Sequence, residues 1–275
     1  MTQISVNDIT RLRKTTGAGM MDCKNALEES GGDFNKAIEI IRKKGQAVAN
    51  KRADREASQG VVLAKISNDE KLGVMIVLNC ETDFVAKNQN FIGLAEKILN
   101  VALQEKPADL EALKQLSLEG KTVSEKVIEQ VGIIGEKLEL AYYDKLESEM
   151  VIQYIHPGNM LATLVAMNKK CDARVGKDIA MQVAAMNPVA VDKDDVSPEI
   201  LEKEKEIGRE QALREGKPEN MVDRIAEGKL QKFFKESTLL NQDFTKDSKK
   251  TIRQYLQEAD KSLEVKAFRR YSLNL

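Results

Sequence analysis

The run Cys80-Glu81-Thr82-Asp83-Phe84-Val85-Ala86-Lys87-Asn88 gathers a thiol, two carboxylates, a hydroxyl and a large aromatic into nine residues. Two kinds of chemistry are open to it. A cysteine nucleophile would need a lowered pKa and a base. The chain offers Cys23, Cys80 and Cys171 as thiols and His156 as its one imidazole, beside a Pro157-Gly158 turn where a catalytic base is uncommon. The other chemistry is recognition, in which an aromatic on an exposed corner enters a partner's pocket. Thr82 or Asp83 can cap a helix, which explains either residue without function. Capping does not explain Phe84, which is either a core residue or such a probe.

The elements around the run define the corner. Leu72-Gly73-Val74-Met75-Ile76-Val77-Leu78 is an apolar run of strand length, and Phe91, Leu94, Ala95, Ile98 and Ala102 recur at helical spacing behind it. A second copy of this hairpin-then-helix pattern follows. Met150 to Ile155 and Met160 to Met167 flank His156-Pro157-Gly158-Asn159 and lead through Cys171-Asp172-Ala173-Arg174-Val175-Gly176-Lys177 into a helix ending near Pro188. Val85 and Lys87 align with Val175 and Lys177 at one offset, which places Ala173 and Arg174 against Asp83 and Phe84. The repeated corner thus does without Asp-Phe, and that asymmetry favours the recognition reading of Phe84.

Residues 4–45 read as three short helices, punctuated by Gly17, Gly19 and Gly31-Gly32-Asp33. The charged, Ala-rich stretch from Lys43 to Ser58 reads as a partly helical linker. Segments 108–118 and 123–131 read as helices between the two copies. Between Val196 and Ser237, two amphipathic helices broken at Glu215-Gly216-Lys217-Pro218-Glu219 form an antiparallel hairpin, whose apolar stripe could serve self-association or a partner contact. Ser262 to Leu273 supplies a last strand to the second sheet.

Composition narrows the classes further. A chain of 275 residues with 42% hydrophobic and 32% charged content is that of a globular protein with more than one core. Net charge of −1 and few aromatics give no general drive toward nucleic acid, and no direct nucleic-acid binding is expected. The polar amino terminus and the lack of any long apolar run predict a cytoplasmic protein with no membrane partner. No cysteine pair has metal-ligand spacing, and Cys171 stands where a phosphate loop needs its first glycine, so neither a metal nor a bound nucleotide is expected.

Two of these runs carry a resemblance. Leu12-Arg13 with Thr16-Gly17-Ala18-Gly19-Met20-Met21-Asp22-Cys23-Lys24, and Cys80-Glu81-Thr82-Asp83-Phe84-Val85-Ala86-Lys87, resemble the translation elongation factor Ts family of guanine-nucleotide exchange factors for elongation factor Tu. The resemblance covers nearly the whole chain. It implies an α+β fold with a ubiquitin-associated-like (UBA-like) three-helix domain at 1–45, a linker at 46–59, and a core of two related β-hairpin/α subdomains at 60–148 and 149–275. The second subdomain carries an inserted antiparallel coiled-coil hairpin at about 196–237. It further implies a protein without covalent chemistry or cofactor, acting on GDP-bound and nucleotide-free Tu; a homodimer through the hairpin's apolar stripe is left open. The expected Tu contacts are Thr82, Asp83, Phe84 and Val85 at the corner, Arg13, Met20 and Met21 in the first domain, Ile134-Gly135, and His156. The turn His156-Pro157-Gly158 differs from the His-Gly of some members. No contact is carried over from the carboxy-terminal helical module that many members have after the last strand. A non-catalytic dimeric scaffold is the alternative function.

Overall fold

Capping residues set where the first helices begin and end. In the computed structural model, which describes residues 4–273, α1 (Val6–Thr16) opens on Ser5, whose hydroxyl accepts from the Asp8 amide while the Asp8 carboxylate accepts from Ser5 N–H. It closes on Gly17 at φ 71°, a left-handed conformation that costs glycine little. α2 (Met20–Glu29) follows, and Asp33 then caps α3 (Phe34–Arg52) by accepting from the amides of Asn35 and Lys36. Leu12, Cys23, Ala26, Leu27 and Ala37 bury themselves between the three helices.

In the stretch read as a partly helical linker, residues 46–52 continue α3 as helix. Just before these residues, Gly45 closely approaches Gly132, which lets the backbones of two helices meet where side chains would hold them apart.

The first hairpin pairs β1 (Gln59–Ile66) with β2 (Leu72–Cys80), and the apolar run of β2 is buried almost throughout. After it come α4 (Asp83–Ala86), α5 (Gln89–Glu105), α6 (Leu110–Gln115), the short ladder β3 (Ser117–Leu118) with β4 (Lys121–Thr122), α7 (Val123–Ile134) and β5 (Leu138–Glu147). The sheet order is β1-β2-β5. Sequence reasoning did not find β5, because burial alternates only through Leu138 and Leu140 and then shifts to Tyr143 and Leu146. Nor did it separate α4 from α5. Asn88 caps α5 anew by accepting from the Asn90 amide, so the corner holds a detached helical turn rather than the start of one long helix.

The second hairpin, β6 (Met150–Ile155) and β7 (Leu161–Met167), pairs Met150 with Met167 and Ile155 with Ala162. It leads into α8 (Ala173–Met186), capped by Asp172. α9 (Pro198–Arg214) and α10 (Glu219–Ser237) then pack on each other, with Gly208 facing the small Ala226, Ala212 buried, and Arg209 bound to Asp223 at 2.7 Å. The chain closes with β8 (Asp243–Phe244), β9 (Asp247–Thr251), α11 (Ile252–Ala259) and β10 (Val265–Ser272), giving the sheet β10-β7-β6. The last strand lies where the sequence puts it, whereas β8, β9 and α11 were not read. Buried Asp178 on α8 anchors this stretch, accepting from Lys246 Nζ at 2.6 Å and Tyr255 Oη at 2.8 Å.

The fold is thus α+β. Two compact units divide it, one running through Leu63 and including Met75–Asp144, the other made of Ala64–Val74 and Lys145–Tyr271. Among the described residues, no helix is long and apolar enough to cross a membrane, and no group of three or more His, Cys, Asp or Glu is placed to hold a metal ion.

Candidate functional site

β2 ends at Cys80 in the core, and within four residues the chain carries Phe84 to 82% exposure. A buried strand cannot turn outward so abruptly without local bonds, and the corner supplies them. Thr82 is the N-cap of α4, its hydroxyl oxygen accepting from the Val85 amide at 3.4 Å. That hydroxyl also donates to Glu136 Oε1 at 2.7 Å, while the Thr82 amide donates to Glu136 Oε2 at 3.1 Å. The Cys80 thiol donates to the Thr82 carbonyl at 3.1 Å. Asp83 points outward to an ion pair with Lys87 at 2.7 Å, and that bond holds its carboxyl below the ordinary carboxylate range.

Glu81 binds the corner to two other elements. Its carboxylate accepts from the Lys137 amide at 2.6 Å, from Arg52 at 2.7 Å and from Arg55 at 3.3 Å. Burial pushes its pKa up, but the Lys137 amide and then the two guanidinium groups outweigh burial and hold it below the ordinary value. The end of α3, the turn after α7 and the corner after β2 therefore meet at one carboxylate. The local sequence carries no signal for this, since Lys137 lies 56 residues from Glu81.

The other expected contacts in this unit lie on elements joined to the same frame. Gly135 caps α7 in the left-handed conformation at φ 79°, with Ile134 half-buried before it. A Cβ placed on Gly17 would meet Ile133 at 3.1 Å, so the α1–α2 loop sits against α7. The first turn of α2 exposes Met20 at 41% and Met21 at 64%, and Arg13 is exposed on the last turn of α1. The methionines are thus surface residues rather than core fillers. Val85 is half-buried under Phe84's turn.

His156 belongs to the other unit. It opens the β6–β7 turn, its amide donating to Leu161 O at 2.8 Å and its Nδ1 lying 2.9 Å from the Tyr154 hydroxyl. The exposed ring packs edge-on to Tyr154 at a centroid distance of 6.1 Å.

Nothing in this arrangement activates a nucleophile. Burial pushes the Cys80 thiol up to about 12, and burial likewise raises Cys23 and Cys171. The corner instead holds an exposed aromatic and an exposed carboxylate on a hydrogen-bonded turn.

Comparison with known proteins gives a consistent result. The family described as "Elongation factor TS" matches residues 81–274. The chain is 53% identical over 272 residues to the elongation factor Ts of Porphyromonas gingivalis, covering 98% of each chain. It is 52% identical over 270 residues to that of Amoebophilus asiaticus, covering 97% of this chain and 98% of the relative. Against that of Christiangramia forsetii it is 47% identical over 275 residues, covering 99% of this chain and all of the relative.

Proposed function

The chain belongs to the elongation factor Ts family, and from that premise we propose that it is a guanine-nucleotide exchange factor in translation elongation. It binds elongation factor Tu·GDP, weakens the hold on magnesium and GDP, and leaves nucleotide-free Tu to reload with GTP. The observation that carries this reading is Phe84, a large apolar side chain exposed at 82% on a turn tied to the end of α3 and to the segment after α7.

The mechanism is differential binding. Linkage is reciprocal, so a factor that binds nucleotide-free Tu more tightly than Tu·GDP lowers GDP affinity by the same factor. Phe84 enters the GTPase domain and favours a conformation whose magnesium and phosphate ligands are displaced. Burying such a side chain contributes about 1.5–3 kcal/mol, which is about one to two decades of affinity at about 1.4 kcal/mol per decade. Faster exchange than this requires the other contacts. Asp83 competes for donors in the displaced region, Thr82 and Val85 support it, and Arg13, Met20, Met21, Ile134, Gly135 and His156 hold Tu in register.

In the same reading residues 1–45 form a UBA-like three-helix domain, followed by a linker at 46–59 whose first part is the helical end of α3. Residues 60–148 and 149–275 are related subdomains, and α9–α10 form a coiled-coil hairpin. The protein works in the cytoplasm without cofactor, covalent chemistry or direct nucleic-acid contact. One observation favours the alternative, a non-catalytic dimeric scaffold. Leu213 and Met221, flanking the break between α9 and α10, are exposed and could pair two copies.

Stopped-flow release of fluorescent GDP from the cognate Tu, with wild-type protein and Phe84→Ala, tests the proposal. Fast release that falls about 10- to 100-fold in the variant is the expected result. No acceleration by wild-type protein would sink the exchange reading, and equal acceleration by both would move the wedge away from Phe84. An oligomeric state unchanged in the variant separates exchange from the scaffold role.

A further inference from the structure

The turn that carries Phe84 is four residues long, far too short to hold helical shape by itself. Phe84 is too exposed for its own packing to orient it, so its aim depends on what grips the turn from outside. Two carboxylates do this in a reciprocal pattern. Glu136, just past the end of α7, accepts both the amide and the hydroxyl of Thr82. Glu81, just before Thr82, accepts the amide of Lys137. Each segment thus donates a backbone N–H to a carboxylate of the other, and Arg52 ties the pair to α3.

We propose that Glu81 and Glu136 are positioning residues for nucleotide exchange, a latch that locks the 82–85 turn so that Phe84 meets its partner already ordered. The proposal rests on the exchange reading above. A side chain ordered before binding does not pay for ordering during it, and carboxylate acceptors are the stronger kind of hydrogen-bond partner. Glu136 is the sharper test, because its carboxylate binds the corner through Thr82 alone among the hydrogen bonds described.

Glu136→Ala should lower kcat for GDP release about 10- to 100-fold, the range for losing bonds to a charged acceptor. Glu136→Gln, which keeps one acceptor, should recover part of that loss. The deciding measurement is a double-mutant cycle with Phe84→Ala. If Glu136 acts through Phe84, Glu136→Ala slows exchange in the wild-type background and has little further effect once Phe84 is gone. An equal slowing in both backgrounds, or none in either, overturns the proposal. Should Glu136→Ala fail to fold, Glu136→Gln carries the same comparison. Wild-type protein that does not accelerate exchange sinks the functional reading instead. Amide hydrogen exchange at Thr82 then decides the latch alone, with faster exchange in Glu136→Ala keeping it and unchanged protection overturning it.

Discussion

Gly45 on α3 and Gly132 on α7 face each other, yet adding a methyl group to each should have opposite effects. A Cβ on Gly132 would lie 2.6 Å from the Gly45 Cα, whereas a Cβ on Gly45 would lie 3.5 Å from the Gly132 Cα. Carbon atoms rest at about 3.5–4.0 Å, so Gly132→Ala forces the helices apart by about 1 Å while Gly45→Ala fits. The obstacle at Gly132 is backbone, which cannot rotate away. Overpacking of this kind costs about 1–3 kcal/mol, and exchanging glycine for alanine within a helix returns about 0.5–1 kcal/mol. The expected net is a loss of up to about 2.5 kcal/mol for Gly132→Ala and a gain of up to about 1 kcal/mol for Gly45→Ala. Urea denaturation followed by circular dichroism reads both. A Gly132→Ala protein as stable as the Gly45→Ala protein would refute the backbone-contact argument. Because α7 ends at the Gly135 turn beside Glu136, Gly132→Ala should also slow exchange, a coupling that Gly45→Ala should lack.

Three other outcomes follow from the charges and thiols. Glu81 has a folded-state pKa below its unfolded value, so its stabilisation is present above the ordinary glutamate pKa of about 4.3 and is lost as pH falls through the lowered value. The gap in melting temperature between wild type and Glu81→Gln should therefore narrow from pH 7 to pH 3, and a constant gap would contradict the assignment. Burial raises all three thiols, so iodoacetamide at pH 7 should modify native protein slowly, with half-buried Cys171 reacting before Cys80; rapid labelling of Cys80 would revive the nucleophile. Tyr255, raised to about 12 by burial and then by its bond to Asp178, should titrate at lower pH in Asp178→Asn, as read by tyrosinate absorbance.

What the sequence made legible was local. The strand run of β2, the cap at Thr82, the glycines after α1 and α2 and the helical spacing behind Asn88 all depend on neighbours a few residues apart, and all appear in the structure. The same holds for the second hairpin and for the break between α9 and α10. What escaped was set by distant partners. Nothing near Glu136 marks Thr82 as its donor across 54 residues. The close approach of Gly45 on α3 to Gly132, far along the chain, has no local signal either. β5 was hidden by its shifted burial register, and the pair β8–β9 is too short and polar to announce itself.

In the proposed pairing of the two hairpin-then-helix units as related copies, one scaffold carries different work at the same position. At the shared offset, Thr82 and Asp172 are both N-caps, so the strand-to-helix geometry is preserved while its chemistry is not. After Asp172 the helix runs unbroken for fourteen residues, with Gly176 packed on Ile152 and Asp178 buried against Tyr255. After Thr82 it stops within four residues, and Asn88 starts a second helix. Detaching that turn removes it from the helix that would otherwise fix its direction. The Glu81–Glu136 latch restores an anchor by another route, outside the helix. A detached turn held by carboxylates can present Phe84 clear of the surface, whereas Arg174 in the second copy stays on the first turn of a long helix. If the latch is what replaced helical continuity, making the helix continuous by changing the residues that interrupt it at Lys87-Asn88 should leave the fold intact and redirect Phe84 along with the turn. Exchange activity would then fall while thermal stability held or rose. A continuous-helix variant with full activity would show that the aim of Phe84 does not depend on the break.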